Sequence, residues 1–219
     1  MSSGAGGTLA EQTTKRLRAA ILDLRLPPGH RLIEREVAEQ EGVSRTCVRA
    51  ALQALQGEGL VVRDHRRGFA VAALSLDEAR QIYELREALE PAMARLFAAR
   101  ASSSDREALE GGARAAKEAA ARDDEAGFVE AHTEFYQVLL RGAGNDVARN
   151  VLDMLHARIT YLRTLTTRRS YRTRRMRTAA LLERIASAAA KGDAGAAARL
   201  CASFVRRSLR FALQVLEAD

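Results

Sequence analysis

Apolar residues near the start of the chain recur at the spacing of an α-helix. Leu17, Ile21 and Leu24 lie at i, i+4 and i+7, which predicts an amphipathic helix with one buried face. The pattern ends at Leu26, because the two prolines that follow cannot continue a helix. A turn is therefore predicted over residues 27–29.

Two shorter helices follow, joined by a tight turn. Residues 34–41 predict the first, and Gly42 suits the left-handed conformation that ends it. Ser44 is a favourable N-cap for the second helix, which runs to Gly57. The buried stripe of this second helix is predicted to consist of Val48, Leu52 and Leu55.

The next segment has the pattern of a β-hairpin. Residues 60–62 and 69–71 are short apolar runs, and the residues between them are polar and include Gly68. Beyond residue 74 the pattern becomes helical throughout and the composition is rich in Ala, Leu and Arg. The domains predicted from this change are residues 8–73 and residues 75–219.

The second domain contains no strand pattern and no sequence repeat. About six helices are predicted in it, with short loops between them, which is typical of an antiparallel helical bundle. The breaks between these helices are predicted at residues 102–104, 122–124, 142–144, 166–170 and 192.

Composition narrows the class of protein. Hydrophobic residues make up 47% of the 219 residues and charged residues 29%, which is typical of a globular chain, and no apolar run is long enough to span a bilayer. The first seven residues lack the features of a secretory signal, and two cysteines fit a reducing compartment. We therefore expect a cytoplasmic protein without a membrane partner.

The net charge of +7 is carried by arginine, since only three of the 35 basic residues are lysines. Charge is uneven along the chain: residues 77–167 sum to −4 and residues 168–219 to +8. Guanidinium groups bind phosphates and guanine edges through two hydrogen bonds, so a polyanionic partner is expected.

The second short helix has a polar face that can read DNA. Arg45, Arg49 and Gln53 recur on one face at i, i+4 and i+8, and Thr46 lies beside them at the helix start. Arginine can bind guanine and glutamine can bind adenine in the major groove. An ordinary solvated helix face is the alternative, but the preceding short helix and the hairpin favour a DNA-reading helix-turn-helix.

The motifs in residues 8–73 resemble the winged helix-turn-helix of GntR-family bacterial transcription regulators. The resemblance rests on Leu26-Pro-Pro-Gly-His-Arg-Leu-Ile-Glu-Arg-Glu-Val-Ala, Gly42-Val-Ser-Arg-Thr-Cys-Val-Arg-Ala-Ala-Leu, Glu58-Gly-Leu-Val and Arg67-Gly-Phe-Ala-Val. It implies DNA contacts by Arg35, Ser44, Arg45, Thr46 and Arg49, with His65, Arg67 and Gly68 of the hairpin entering the minor groove. Two positions depart from the family: Cys47 replaces a usual proline and Ala50 a usual glutamate.

The second domain resembles the all-helical FCD domain of the FadR subfamily, which binds effectors and dimerises. The segment Ile82-Tyr-Glu-Leu-Arg-Glu-Ala-Leu-Glu-Pro, the Gly142-Ala-Gly-Asn turn and the Gly192-Asp193 break carry this resemblance. The predicted fold is therefore mainly α: a winged helix-turn-helix with a small β-hairpin wing, followed by an all-α antiparallel bundle of about six helices.

Many FCD domains bind a divalent metal through an Asp and three His, and the resemblance places His132, Tyr136, Leu182 and Phe204 at those positions. Only one of these residues is a good ligand, so we expect neither a metal nor another cofactor. His132 is expected to be a hydrogen-bonded interior histidine. The five positions expected to bind the effector are Arg86, His132, Tyr136, Leu182 and Phe204.

The effector is expected to be a small organic acid with a hydrophobic body, bound by Arg86. Leu182 and Phe204 would make the rest of the pocket apolar, and a surface salt bridge from Arg86 to Glu90 is the alternative.

Ordinary structural roles are predicted for a cluster of arginines and for both cysteines. The cluster of Arg168, Arg169, Arg172, Arg174, Arg175 and Arg177 is expected to be a solvated loop and helix start; the alternative is binding of effector phosphates or of flanking DNA. Cys47 is interpreted as a small residue in the first turn of a helix, and redox sensing is the alternative. Cys201 is read as core.

These observations predict a sequence-specific, effector-responsive transcription regulator, a repressor of a metabolic operon. It would bind a palindromic operator as a homodimer and be associated with the nucleoid. An all-α enzyme is disfavoured because no carboxylate pair, nucleophile with a base, or phosphate loop is found. A sequence-blind architectural protein is the other alternative, separable by comparing specific with random DNA.

Overall fold

The computed structural model describes residues 8–64, 68–168 and 170–217. The chain divides into two compact units: residues up to Leu74 together with His156–Tyr161, and Ser75–Leu155 together with Leu162 onward. The domain bounds expected from the sequence, 8–73 and 75–219, stay a prediction.

Helix α1 spans Leu9–Leu22 and begins with a capping box. The amide of Glu11 donates to Thr8 Oγ1 at 3.2 Å, while the Thr8 amide donates to Glu11 Oε2 at 2.8 Å. The helix ends before the predicted Leu26, because Leu24 turns out of it with φ of 61°. The two prolines that follow were therefore not what ended it.

The helix-turn-helix consists of α2 (Glu34–Glu41) and α3 (Arg45–Gly57). Gly42 ends α2 with φ of 66°, a left-handed conformation that favours glycine. The buried side chains of α3 are Val48, Ala51, Leu52 and Leu55, and they form a core with the fully buried Ile21 of α1. Such burial contributes about 1.5–3 kcal/mol for each large apolar side chain.

A three-stranded antiparallel sheet completes the first unit. Its strands are β1 (Arg31–Leu32), β2 (Val61–Asp64) and β3 (Gly68–Val71), in the order β1-β3-β2. Leu32 is opposite Phe69 and Val61 is opposite Val71, so the apolar residues of all three strands meet on the core side. The two-residue strand β1 was not predicted.

The second unit is helical. Its helices are α4 (Leu76–Arg100), α5 (Ser103–Ala121), α6 (Glu125–Gly142), α7 (Asp146–Arg158), α8 (Thr160–Arg168), α9 (Arg172–Ala190) and α10 (Ala194–Glu217), with the junction of α7 and α8 belonging to the first unit. They correspond to six helical segments, because only Ile159 separates α7 from α8.

Within the second unit α4 packs along α10, and α5 packs against both α6 and α9. The described part of the chain after Leu74 contains no strand. No helix in the described ranges is long and apolar enough to cross a membrane.

Candidate nucleic-acid interface and effector cavity

Helix α3 exposes the polar face that the sequence predicts. Arg45, Thr46, Arg49 and Gln53 are all exposed, whereas the opposite face of the helix is fully buried. Ser44 caps the helix, its Oγ accepting a hydrogen bond from the Cys47 amide at 3.2 Å. This cap fixes the start of the helix, where side chains can reach base edges.

Arg49 is held by a carboxylate from the preceding helix. Its Nε and Nη2 donate to the two carboxylate oxygens of Glu34, at 2.9 and 2.7 Å. The hydrogen bond from Arg49 lowers the pKa of Glu34, so this carboxylate is ionised at neutral pH. The Arg49 side chain remains 61% exposed, which leaves its outer edge open to a ligand. No motif in the sequence marks Glu34 for this role.

The other predicted DNA-contacting residues lie in α2 and the hairpin. Arg35 is exposed and donates to Glu39 one turn later at 3.3 Å. Gly68 begins β3 with φ of 79°, a conformation that favours glycine at the base of the hairpin loop. His65 and Arg67 lie outside the described residues.

The two positions that depart from the GntR pattern both lie in the first half of α3. Cys47 is half-buried, with Sγ 3.7 Å from Thr13 Oγ1 of α1, and it therefore packs within the first unit. Ala50 is exposed. Cys201 is buried in α10, and burial raises the pKa of its thiol well above the usual range.

A cavity of about 80 Å³ lies in the helical unit. Arg86, His132 and Phe204, three of the residues expected to bind an effector, are part of its lining. The other two, Tyr136 and Leu182, are not part of the lining: both are buried, and the Tyr136 ring centre lies 5.2 Å from that of His132. The remaining lining is formed by Tyr83, Phe128, Val129, Arg163, Thr166, Thr167, Ser170, Arg174, Arg175, Thr178, Ser208 and Phe211.

The salt bridge of Arg86 is internal, not at the surface. Its Nε donates to Glu90 at 2.6 Å, both side chains are almost completely buried, and its guanidinium lies 4.5 Å from the Tyr83 ring centre. Burial lowers the pKa of Arg86, but the charge of Glu90, the electrostatic contributions of Tyr83 and Tyr136 and the hydrogen bond to Glu90 together outweigh it, so the net shift is upward. Arg86 is therefore already neutralised by a carboxylate of its own helix.

His132 is an interior histidine with a cationic neighbour. It is 9% exposed, and its Nδ1 lies 3.1 Å from Nη2 of Arg163, which also donates to Thr133 Oγ1 at 2.8 Å. Burial, with a further contribution from Arg86, lowers the pKa of Arg163. With Arg163 donating, the hydrogen-bonded nitrogen of His132 is the unprotonated one.

The arginine cluster at the start of α9 is not simply solvated, contrary to expectation. Arg175 is 3% exposed and pairs with Asp123 and, at 3.4 Å, with Glu125. Arg174 is half-buried with its guanidinium 3.3 Å from the Phe211 ring centre. Arg175 is buried because it pairs with carboxylates about fifty residues earlier in the chain, Asp123 and Glu125. Arg172 and Arg177 are exposed, as expected.

Two family models match the chain and together cover most of it. The model described as "Bacterial regulatory proteins, gntR family" matches residues 9–71, and the FCD domain model matches residues 81–207. The chain belongs to the GntR family and carries an FCD domain. GntR proteins of this type are helix-turn-helix transcription regulators, not enzymes, and the FadR-subfamily resemblance is confirmed.

Individual GntR-family relatives support this assignment. YdhC of Bacillus subtilis (strain 168), described as an uncharacterized HTH-type transcriptional regulator, is 26% identical over 155 residues, covering 70% of this chain and 69% of YdhC. The HTH-type transcriptional repressor RspR of Escherichia coli (strain K12) is 30% identical over 153 residues, covering 70% of this chain and 67% of RspR.

Solved structures confirm the fold. The E. coli protein McbR/YncC has a TM-score of 0.79 at 18% identity, covering 95% of this chain and 99% of that protein. A putative GntR transcriptional regulator from Rhodococcus sp. RHA1 has a TM-score of 0.76 at 23% identity, covering 96% and 98%. The predicted mainly α fold, a winged helix-turn-helix before a helical bundle, is therefore correct.

The FCD resemblance implies a metal, but the residues of this GntR protein do not fit one. The described residues contain no group of three or more His, Cys, Asp or Glu arranged to hold a metal ion. The one imidazole at the implied position, His132, has the Arg163 guanidinium at its Nδ1, and a cation there repels a second cation. The positions around it hold Tyr136, Leu182 and Phe204.

One of the four arginines that line the cavity, Arg163, was not predicted from the sequence. Arg86 was predicted to bind the effector, and Arg174 and Arg175 belong to the cluster expected to be solvated, with binding of effector phosphates or of flanking DNA as the alternative. The available signal was the mixture of arginines with Thr and Ser in residues 163–178, a composition typical of anion sites. The lining is more polar than expected, because it includes five serine and threonine residues: Thr166, Thr167, Ser170, Thr178 and Ser208.

Proposed function

We propose that this GntR-family regulator is a homodimeric repressor that binds a palindromic operator and releases it when a small organic anion occupies the FCD cavity. The exposed polar face of α3, opposite a fully buried apolar face, is the observation that carries the DNA-reading part. Repression is favoured by the relative RspR, which is a repressor. Binding chromosomal DNA would place the protein at the nucleoid in the cytoplasm.

The proposed base contacts come from α3. Arg45 and Arg49 would bind guanine edges, Gln53 an adenine edge, and Thr46 a phosphate or a thymine methyl group. Ser44 and Arg35 would bind phosphates and so fix the register of the helix in the groove. The residues proposed for the minor groove are those of the hairpin, His65, Arg67 and Gly68.

A homodimer follows from the small footprint of one recognition helix. A single helix reads too few base pairs to define an operator, whereas two copies related by a two-fold axis read both halves of a palindrome. We propose that the FCD unit holds the two copies together.

The effector part of the proposal rests on the cavity of the FCD unit. Arg86, His132 and Phe204 contact it directly, and Tyr136 and Leu182 would support its wall from behind. A bound anion can release DNA only if the DNA-binding conformation of the dimer and the released conformation differ in their affinity for the anion.

The decisive experiment measures DNA binding by fluorescence anisotropy with the full chain. The DNA is the intergenic segment beside the gene, and a shuffled duplex of the same length and composition is the control. A specific regulator is expected to prefer the intergenic DNA by about a thousandfold or more at physiological salt. Equal affinity for both duplexes would show a sequence-blind protein and refute the proposal.

A further inference from the structure

The cavity of the helical unit contains more positive than negative charge. Arg86 is matched by Glu90, and Arg175 by Asp123 and Glu125. Arg163, in contrast, bonds to a histidine ring and a hydroxyl, and Arg174 lies on the ring of Phe211. Within the described ranges neither Arg163 nor Arg174 forms an ion pair with a carboxylate. Among the described residues, these two guanidiniums thus have no carboxylate of their own at salt-bridge distance, and Glu90, whose charge raises the pKa of Arg163, is already paired with Arg86.

Burial disfavours the charged form of both guanidiniums. Burial lowers the pKa of Arg163 and of Arg174, with further contributions from neighbouring arginines, Arg86 and Arg207 respectively. A cation that is taken out of water without a partner destabilises the folded protein, and an anion that enters the cavity would remove this cost.

A third group in the lining is also unsatisfied. Nε of Arg175, on a side chain that is 3% exposed, has no hydrogen-bond partner among the described residues. Buried polar atoms nearly always have such a partner. Hydroxyl groups of Thr167, Thr178 and Ser208 line the same space and can donate to an oxyanion.

The dimensions of the cavity indicate a small charged group attached to a larger body. Its volume of about 80 Å³ is well below the roughly 300–1,000 Å³ of pockets that enclose a whole drug-sized ligand. A second hollow of about 280 Å³ shares Ser170, Arg174 and Phe211 with it and is lined further by Arg177 and Arg207. The two hollows thus meet at Arg174.

We propose that this cavity binds the phosphoryl group of a phosphate monoester, with Arg163 and Arg174 as its counterions, and that the organic part of the ligand lies in the adjoining hollow. A carboxylate satisfies one guanidinium, whereas a phosphoryl group carries nearly two charges at pH 7 and three acceptor oxygens for two guanidiniums and several hydroxyls. The inference rests on the proposed effector function. It assigns a phosphate monoester as the effector, in place of the hydrophobic organic acid predicted from the sequence.

The test uses the full chain and isothermal titration with glycerol 3-phosphate and inorganic phosphate. Glycerate and benzoate serve as carboxylate probes, with potassium chloride holding the ionic strength constant. The variants are Arg163→Gln and Arg174→Gln, and Arg184→Gln, an exposed arginine on the same helix as Arg174, is the matched control. We expect the parent and Arg184→Gln to bind the phosphates, and each cavity variant to lose about tenfold to a hundredfold in affinity.

A readout without ligand separates binding from folding. Because neither Arg163 nor Arg174 forms a salt bridge with a carboxylate among the described residues, their Gln variants are expected to melt no lower than the parent in phosphate-free buffer. A clear loss of melting temperature in both would show that the two side chains serve the fold, and would overturn the inference. Phosphate binding that is equal in all variants would overturn it too.

The DNA-binding assay keeps this inference distinct from the proposed function. Release of operator DNA by glycerate or benzoate, with phosphates inactive, would refute the phosphoryl site but leave an anion-responsive repressor intact. Release by glycerol 3-phosphate that is lost in Arg163→Gln would support both. Absence of specific operator binding would refute the proposed function whatever the titrations show.

Discussion

Arg49 is the residue through which a single substitution should most directly alter DNA reading. We expect Arg49→Ala to weaken operator binding by about 5- to 150-fold, the cost of one bidentate base contact, and to relax selectivity at one base pair of each half-site. The control is Lys15→Ala, an exposed cation of α1 that should change affinity little. Anisotropy titrations against the operator and its single-base variants measure both effects. An Arg49→Ala protein that binds as tightly as the parent would show that α3 is not the recognition helix.

Glu34 should act on DNA through Arg49 as a positioning residue. The two hydrogen bonds from Arg49 fix the plane of its guanidinium, and Glu34→Gln removes the charge while keeping the shape. We expect higher affinity for random DNA, because a negative charge near the phosphates is lost, and lower selectivity for the operator. Melting temperature should change little, since ion pairs at the surface stabilise weakly. An unchanged ratio of operator to random affinity would contradict this role.

At the scale of elements, two glycines in adjacent helices of the bundle should respond oppositely to alanine. A Cβ on Gly142, at the end of α6, would lie 2.5 Å from Cε2 of the fully buried Phe97, so Gly142→Ala should destabilise by about 1–3 kcal/mol through overpacking. At Gly111 of α5 the nearest atom is the end of the Arg114 side chain at 3.9 Å. Gly111→Ala should therefore stabilise by about 0.5–1 kcal/mol through helix propensity. Urea unfolding measures both changes, and equal signs would refute the packing argument.

Helices were predicted well where their apolar pattern and their capping residues lie within one short segment of the sequence. The bounds of α2 were predicted from its apolar pair and Gly42, and α3 from Ser44 and its buried stripe. Strand β1 was not predicted, because two residues are too few to show the alternation of apolar and polar positions that marks a strand. Its conformation is set by pairing with β3. The early end of α1 depends on a leucine with positive φ, which sequence patterns disfavour.

Side chains that connect distant parts of the chain were the least predictable. Arg106 of α5 donates to the carbonyl oxygens of Ala98, Ala101, Ala189 and Ala190, at distances of 2.5–3.2 Å, and so satisfies the ends of α4 and α9 together. Arg163 and Arg175 likewise find partners 30 to 52 residues away. An arginine that serves such a site looks in the sequence like any solvated arginine.

For the whole molecule we expect a dimer in solution. The chain has a mass of 23.9 kDa, and sedimentation velocity at micromolar concentration should give about twice this value. The operator should bind with one dimer per palindrome, and a half-site should bind much more weakly because one recognition helix supplies only half of the contacts. A monomer that binds a half-site as well as the full palindrome would contradict this assembly.

The purified protein should also carry no stoichiometric zinc, nickel or manganese. The reason is the side chains at the implied metal position, where a phenol and two apolar groups accompany His132, and the cation of Arg163 next to its imidazole. Elemental analysis after expression in metal-supplemented medium provides the measurement. About one metal ion per chain would show that other residues supply the ligands.

The hydrogen bond that caps α3 provides a way to measure the opening of the recognition helix. Where the GntR pattern usually has a proline, this chain has Cys47, whose amide hydrogen is bonded to Ser44 Oγ. Proline has no such hydrogen, so a relative with proline gives no nuclear magnetic resonance signal at this point of the helix. Cys47 thus supplies a spectroscopic reporter two residues before Arg49. The rate at which its amide hydrogen exchanges with solvent deuterium records how often the first turn of the helix opens.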